Sequence, residues 1–266
     1  RPSCGVRAEE KRNRERAMPA CVPTLADVGR SLGMSGGLQY EVIGGNLQGI
    51  RITLKPGQTI IGESGCMLFL DEGIEFECRM SDGSIMQQDD SIWGMIKAGF
   101  KRVVTNESLF NTWFTNKSNS PKVMGVAAPH MGTMLPISLA ELPQRTILAQ
   151  ASAFVCSSPG VVFSVELVKK FGAGIFGGEG FILQRMVAEP GSGGELFLHG
   201  GGTIIRKDLK GQELSLDAGC LMAFTTGIDY DIGFAGLGNT LLSGKLFMAK
   251  LRGTGSVWIQ STPSNK

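Results

Sequence analysis

Long hydrophobic runs are missing from this chain. No stretch approaches the roughly 18 consecutive apolar residues of a membrane-crossing helix, so any membrane association is expected to be peripheral or through a partner. Charge of one sign is scarce too. Lysine and arginine exceed the acids by two, 26 against 24, which leaves no field that would draw the chain to nucleic acid. With two tyrosines, the aromatic stacking platform of a single-strand binder is not expected either. Histidine is limited to His130 and His199, with no H-x-H or H-x-x-x-H pair. The six cysteines, Cys4, Cys21, Cys66, Cys78, Cys156 and Cys220, show no C-x-x-C and no zinc-ligand spacing. We expect reduced thiols, no metal and no cofactor. A serine or cysteine nucleophile needs an imidazole oriented by a carboxylate, and no spacing announces one, so no catalytic residue is assigned and an enzyme is not expected.

Glycine is what the chain has in surplus, 38 of 266 residues, without a collagen period or a proline excess. Turns and bulges are the remaining use for it. Hydrophobic residues make up 42%, enough for a real core, and the length suits one large domain or two small ones. From Leu38 onward, Gln39-Tyr40-Glu41-Val42-Ile43 and Gly49-Ile50-Arg51-Ile52-Thr53-Leu54 alternate polar with apolar residues, the period of half-buried strands.

A pattern centred on a glutamine then recurs three times. Gln58 is followed by Gly65-Cys66-Met67-Leu68-Phe69 and Gly73-Ile74-Glu75-Phe76, and Gln212 by Gly219-Cys220-Leu221-Met222-Ala223 and Gly227-Ile228-Asp229-Tyr230, at identical spacings. The middle copy runs from Gln144 through Ala151-Ser152-Ala153-Phe154-Val155 to Gly160, with one inserted residue. Each copy continues through a glycine-rich hinge, Trp93 to Phe100, Phe171 to Gly177 and Phe234 to Gly238, into a strand, a polar turn and an apolar strand. The last of these are Val126-Ala127-Ala128, Leu196-Phe197-Leu198 and Val257-Trp258-Ile259. Within the middle hinge, Gly172-Ala173-Gly174-Ile175-Phe176-Gly177 satisfies G-x-G-x-x-G, and Glu195 lies beyond it. A dinucleotide site needs a helix to start there, and Gly178 and Gly180 make one costly, so we read a structural hinge.

We expect an all-β fold: three tandem β-sandwich-like repeats in one pseudo-threefold body, preceded by a short helical or extended arm. The boundaries are 1–37 for the arm, about 38–131, 132–201 and 202–262 for the repeats, and 263–266 for a tail. In the arm, Glu10 and Arg14 are spaced for a solvated helix that Pro19 and Pro23 end.

The run from Arg102-Val103-Val104-Thr105-Asn106 to Phe110, the Ala127-Ala128-Pro129 that follows, and Gly255-Ser256-Val257-Trp258-Ile259-Gln260-Ser261 resemble the altered inheritance of mitochondria protein twenty-four family. The resemblance spans about Leu38 to Thr262. It implies a body similar to the small sandwich of the tryptophan RNA-binding attenuation protein, no established catalytic site and, in eukaryotes, an organelle, usually the mitochondrion and its inner membrane. Asn106 stands where that family often has glycine. Acidic Glu9, Glu10 and Glu15 among the basic residues of the arm read as mature sequence and not as a transit peptide.

In the first hinge Trp93, Met95, Ile96 and Phe100 stand beside Lys101 and Arg102, apolar side chains suited to a partner groove or bilayer interface with cations at the rim. The expected function is a noncatalytic structural or assembly subunit whose partners are subunits of a larger membrane-associated complex, with peripheral membrane contact as a further expectation. It would sit in a mitochondrion or plastid, peripheral to the inner or thylakoid membrane. The alternative is an enzyme or small-ligand-binding protein with a pocket between modules. Thiol titration under denaturing, nonreducing conditions should find all six cysteines free.

Overall fold

The structure, a computed structural model, describes residues 31–35, 37–80, 110–167, 182–234 and 247–263. The arm to residue 30 and all three glycine hinges, save Phe234, lie outside the described residues. So does Trp93 to Arg102, the proposed contact segment.

Strands β1 (Ser31–Ser35) and β2 (Leu38–Ile43) lead into three modules. The first contains β3 (Gly49–Leu54), β4 (Thr59–Glu63), β5 (Met67–Leu70), β6 (Ile74–Met80), β7 (Phe110–Asn116) and β8 (Lys122–Ala127). The second contains β9 (Gly132–Ser138), β10 (Thr146–Gln150), β11 (Phe154–Ser157), β12 (Val161–Leu167), β13 (Ile182–Ala188) and β14 (Glu195–Gly201). The third contains β15 (Ile204–Lys210), β16 (Leu214–Asp217), β17 (Leu221–Thr225), β18 (Ile228–Phe234) and β19 (Phe247–Gln260). The only helical pieces among the described residues are single 3-10 turns.

Every ladder in these modules is antiparallel, and the same ladders recur in each. In the first module β8 lies between β3 and β5, while β7 lies between β6 and β4. The second repeats this with β14 between β9 and β11, and β13 between β12 and β10. In the third, β19 does both jobs. Its residues to Gly253 pair with β16 and β18, and those from Thr254 onward with β15 and β17. The polar turn expected before Val257 is therefore absent. Gly253 takes its place at φ +122°, where an added Cβ would strike the Gly227 carbonyl, so the strand crosses between sheets without breaking.

Module joins to module by strand pairing. β4 pairs with β11, and β10 pairs with β17, so the first and second modules share a six-strand sheet and the second and third an eight-strand sheet, in which β16 and β18 join through β19. Three cores alternate with these sheets. Ile50, Ile52, Met124, Cys156 and Phe197 pack in the first, Ile147, Met186, Leu196, Leu198 and Trp258 in the second, and Leu148, Leu221, Phe224, Leu251 and Val257 in the third. Strands β10, β11 and β17 are buried at every residue because they lie between two cores. That explains the apolar runs Ile147-Leu148-Ala149, Phe154-Val155-Cys156 and Leu221-Met222-Ala223-Phe224 where alternation would be expected of a one-sided sheet.

β1 pairs with β2 along its whole length, so the sheet begins seven residues before Leu38, where alternation first becomes legible. The repeat itself is visible at one turn. Gly73, Gly160 and Gly227, at φ +95°, +84° and +92°, each offer their carbonyl to the N–H of Lys117, Glu189 and Thr254 respectively.

Register also moves one expectation. Ile60, Ile147 and Leu214 occupy matching places, which puts Arg145, not Gln144, opposite Gln58 and Gln212. The inserted residue lies in the Pro143–Arg145 turn, where Gln144 and Arg145 both take positive φ, 53° and 52°. In the outer modules the amides of Gly57 and Gly211 donate to the carbonyls of Asn116 and Gly253. At the matching Ala188 carbonyl the donor is Arg145 Nε, at 3.2 Å, while Nη2 reaches the carbonyls of Glu189 and Ser192. Arg145→Ala should therefore cost about 1–3 kcal/mol in urea unfolding, against a few tenths for an exposed arginine such as Arg252.

Candidate functional site

Alternation along β14 sends Glu195, Phe197 and His199 to one face and Leu196 and Leu198 to the other. Phe197 belongs to the first core, the two leucines to the second. Two ionisable side chains are thus carried into the seam between the first and second modules, and both are almost wholly buried.

Glu195 is anchored through its backbone. Its N–H donates to Ser158 Oγ at 3.0 Å, and its carbonyl accepts from the Ser158 N–H at 2.8 Å. Its carboxylate Oε1 has no hydrogen-bond partner among the described residues. Tyr40 meets Phe197 edge-on, ring centroids 4.9 Å apart. Burial, then the nearby carboxylates of Glu195 and Glu141, push the Tyr40 phenol above its usual range. His199 Nε2 is likewise without a partner there. Burial and the neighbouring His130 depress its affinity for a proton. His130 itself is exposed in the turn between β8 and β9.

The cysteines complete the inventory of nucleophiles. Burial, reinforced by Glu63, pushes the Cys66 thiol up to about 12, and burial raises Cys156 as well. Neither is a thiolate at neutral pH. Cys66, Cys78 and Cys156 are free thiols. Among the described residues no group of three His, Cys, Asp or Glu side chains is placed to hold a metal ion. The seam contains protonated thiols, an imidazole whose proton affinity is lowered, and the Glu195 side chain. Among the described residues no base stands beside a nucleophile there.

The other feature of note is an edge. β5 corresponds to β11 and β17, as the shared bulge shows: the register shifts between Met67 and Phe69, Phe154 and Cys156, Leu221 and Ala223. Its counterparts are buried throughout, yet Met67, Leu68 and Phe69 are 46%, 54% and 42% exposed. β5 pairs with β8 alone among the described ladders and is the last strand of its sheet. An apolar open edge is a strand-addition site. Its sequence is that of a buried strand, so the composition is visible in advance. That this copy lacks, among the described residues, the second neighbour its counterparts have is not.

His199 supplies a pH dependence. Its folded proton affinity is lowered from the ordinary 6.5, so the unfolded chain binds the extra proton first. The stabilisation is complete above about pH 6.5 and declines as acidity rises through the lower folded value. His199→Gln copies the third module, where Gln260 at the matching position donates to the Gly219 carbonyl. The urea midpoint of the native chain should drop between pH 7 and 5.5 by more than that of the variant.

The family profile described as Mitochondrial biogenesis AIM24 matches residues 40–262. An uncharacterized protein of Streptococcus pyogenes serotype M6 is 22% identical over 213 residues, which cover 80% of each chain. A crystal structure of a Streptococcus pyogenes protein superposes with a TM-score of 0.63 at 20% identity, covering 85% of this chain and 94% of that one. That likeness speaks for the fold. With the profile spanning most of the sequence, the chain belongs to the AIM24 mitochondrial biogenesis family.

Proposed function

We propose that this chain is a noncatalytic structural or assembly subunit that docks within a membrane-associated complex of the mitochondrion. The observation that carries the reading is the open β5 edge: an apolar strand, buried in both of its counterparts, that presents Met67, Leu68 and Phe69 to solvent. Monomeric soluble proteins seldom leave such an edge bare, because unpaired amides and apolar side chains together invite another strand. The family to which the chain belongs agrees with a mitochondrial setting. The buried, protonated thiols of Cys66 and Cys156 agree with a noncatalytic role.

A second reading has its own observation. Glu195 Oε1 and His199 Nε2 are both buried and without partners among the described residues, on one face of β14. Buried polar atoms in that state are where a small polar ligand between modules would bind. Native mass spectrometry of the purified chain separates the readings, since a retained ligand that Glu195→Gln loses favours the second.

Copurification tests the first. After mild detergent extraction of mitochondria, the native chain should migrate with a large assembly. Leu68→Lys should weaken that association about tenfold, equivalent to about 1.4 kcal/mol, without lowering the melting temperature. Free migration of the native chain, or equal retention of the variant, would remove the docking role from β5.

A further inference from the structure

The three modules place one residue in the same backbone setting and then equip it differently. Gly125, Phe197 and Trp258 match, since each pairs with the residue that ends the bulge. Two residues before them stand Val123, Glu195 and Ser256, and directly across from them stand Arg51, Pro136 and Arg206. The amides of Val123, Glu195 and Ser256 all donate to a side-chain oxygen of the matching Asp71, Ser158 and Thr225, at 2.8, 3.0 and 3.0 Å.

The side chains diverge. In the third module the Arg206 guanidinium lies over the Trp258 ring, 5.7 Å from its centroid, and its Nη2 donates to Ser256 Oγ at 3.1 Å. In the first, Arg51 donates to Glu41 at 3.1 Å. The second has a carboxylate where the third has Ser256 and a proline where the other two have arginine. Pro136 carries no charge and no donor. Glu195 is 3% exposed, with Oε1 unpartnered among the described residues. It belongs to no ion pair among them, and neither does Glu141. Arg145, whose guanidinium comes within three residues of Glu195 in sequence at Ser192, spends its donors on the carbonyls of Ala188, Glu189 and Ser192. A buried carboxylate is retained at a cost unless a charge-assisted donor meets it.

We propose that Glu195 binds an alkylguanidinium, which takes the place that Arg206 fills in the third module. The inference rests on the reading of the Glu195 seam as a ligand site and names the chemistry of the ligand.

The surroundings suit that group. The two oxygens of a carboxylate match the fork of a guanidinium. Gly193 gives the carboxylate its room, since an added Cβ would overlap both oxygens. Phe197 and Tyr40, edge-on at 4.9 Å between centroids, line the seam with aromatic surface for a flat cation. Burial, then Glu195 and the exposed Glu141, hold the Tyr40 phenol above its usual range, so it keeps its proton and the negative charge stays with the two carboxylates. An oxygen-ligated metal ion needs more acidic side chains than are gathered among the described residues.

Methylguanidinium chloride, titrated against equal concentrations of sodium chloride, is the probe. The melting temperature of the native chain should rise by about 3 °C once the probe reaches ten times its dissociation constant, and Glu195→Gln should lose that rise. Tetramethylammonium, which has the charge without N–H donors, should give none. Pro136→Arg restores the arrangement of the third module, so that variant should melt above the native chain without any probe and ignore methylguanidinium. An equal response of the native chain and Glu195→Gln overturns the inference, and so does a full response of Pro136→Arg. Two sources of the group are told apart in material from mitochondria. A small mass retained in native mass spectrometry and displaced by methylguanidinium marks a free guanidinium compound, whereas release of the chain from its assembly by methylguanidinium marks an arginine side chain of a neighbouring protein. A retained mass that Glu195→Gln loses but methylguanidinium does not displace overturns the guanidinium and leaves the ligand site standing.

Discussion

A strand at the margin of a sheet has half of its amides and carbonyls facing outward, and a thin sandwich has too little interior to offset that loss alone. In this chain the two needs are met by one interaction, the pairing of β4 with β11 and of β10 with β17. Each pairing satisfies two edges and turns two three-strand sheets into one sheet that serves as the floor of one core and the ceiling of the next. The modules are therefore not independent bodies that touch. Cys156 lies in the first core and Phe154, two residues earlier on the same strand, in the second.

The same arrangement governs where polar groups are tolerated. At the seam between the second and third modules, Gln260 accepts from the Gly201 amide and donates to the Gly219 carbonyl, while Gln150 reaches the Ala218 carbonyl. That seam is closed by hydrogen bonds between neutral groups. The first seam carries Glu195 and His199, ionisable and with unpartnered atoms among the described residues. Burial without full satisfaction is costly, and the proton affinity of His199 is lowered accordingly. Two junctions of common design thus differ in chemistry, one sealed and one sensitive to acid.

The repeat was legible because spacing survives where identity does not: a glycine that must adopt positive φ returns at Gly73, Gly160 and Gly227. The offset at Gln144 was hidden because glutamine is the more conspicuous letter, while the structure counts residues from the next strand and uses the Arg145 guanidinium to replace a backbone amide. β1 escaped notice because Ser31-Leu32-Gly33-Met34-Ser35 is short and its pairing with β2 is nonlocal information. The long β19 was read as two strands because Gly253 and Gly255 resemble a turn. As for the candidate site, residues such as His199 were noted, but their burial depends on which face of β14 meets the first core. The open state of β5 belongs to the count of modules and to no residue.

The course of β19 has a consequence for the order in which the chain can fold. β15, β16 and β18 have no described ladder except with β19, which follows all of them in sequence. A ribosome or an import pore delivering the chain from its N-terminal side lets the first module close in two steps, β6 pairing once β7 emerges and β5 once β8 does. Those three strands of the third module wait together for one strand. Until Phe247 to Gln260 emerges, the third module is a set of strands awaiting a single clasp, and this stretch of translation or translocation is when a chaperone has most to hold.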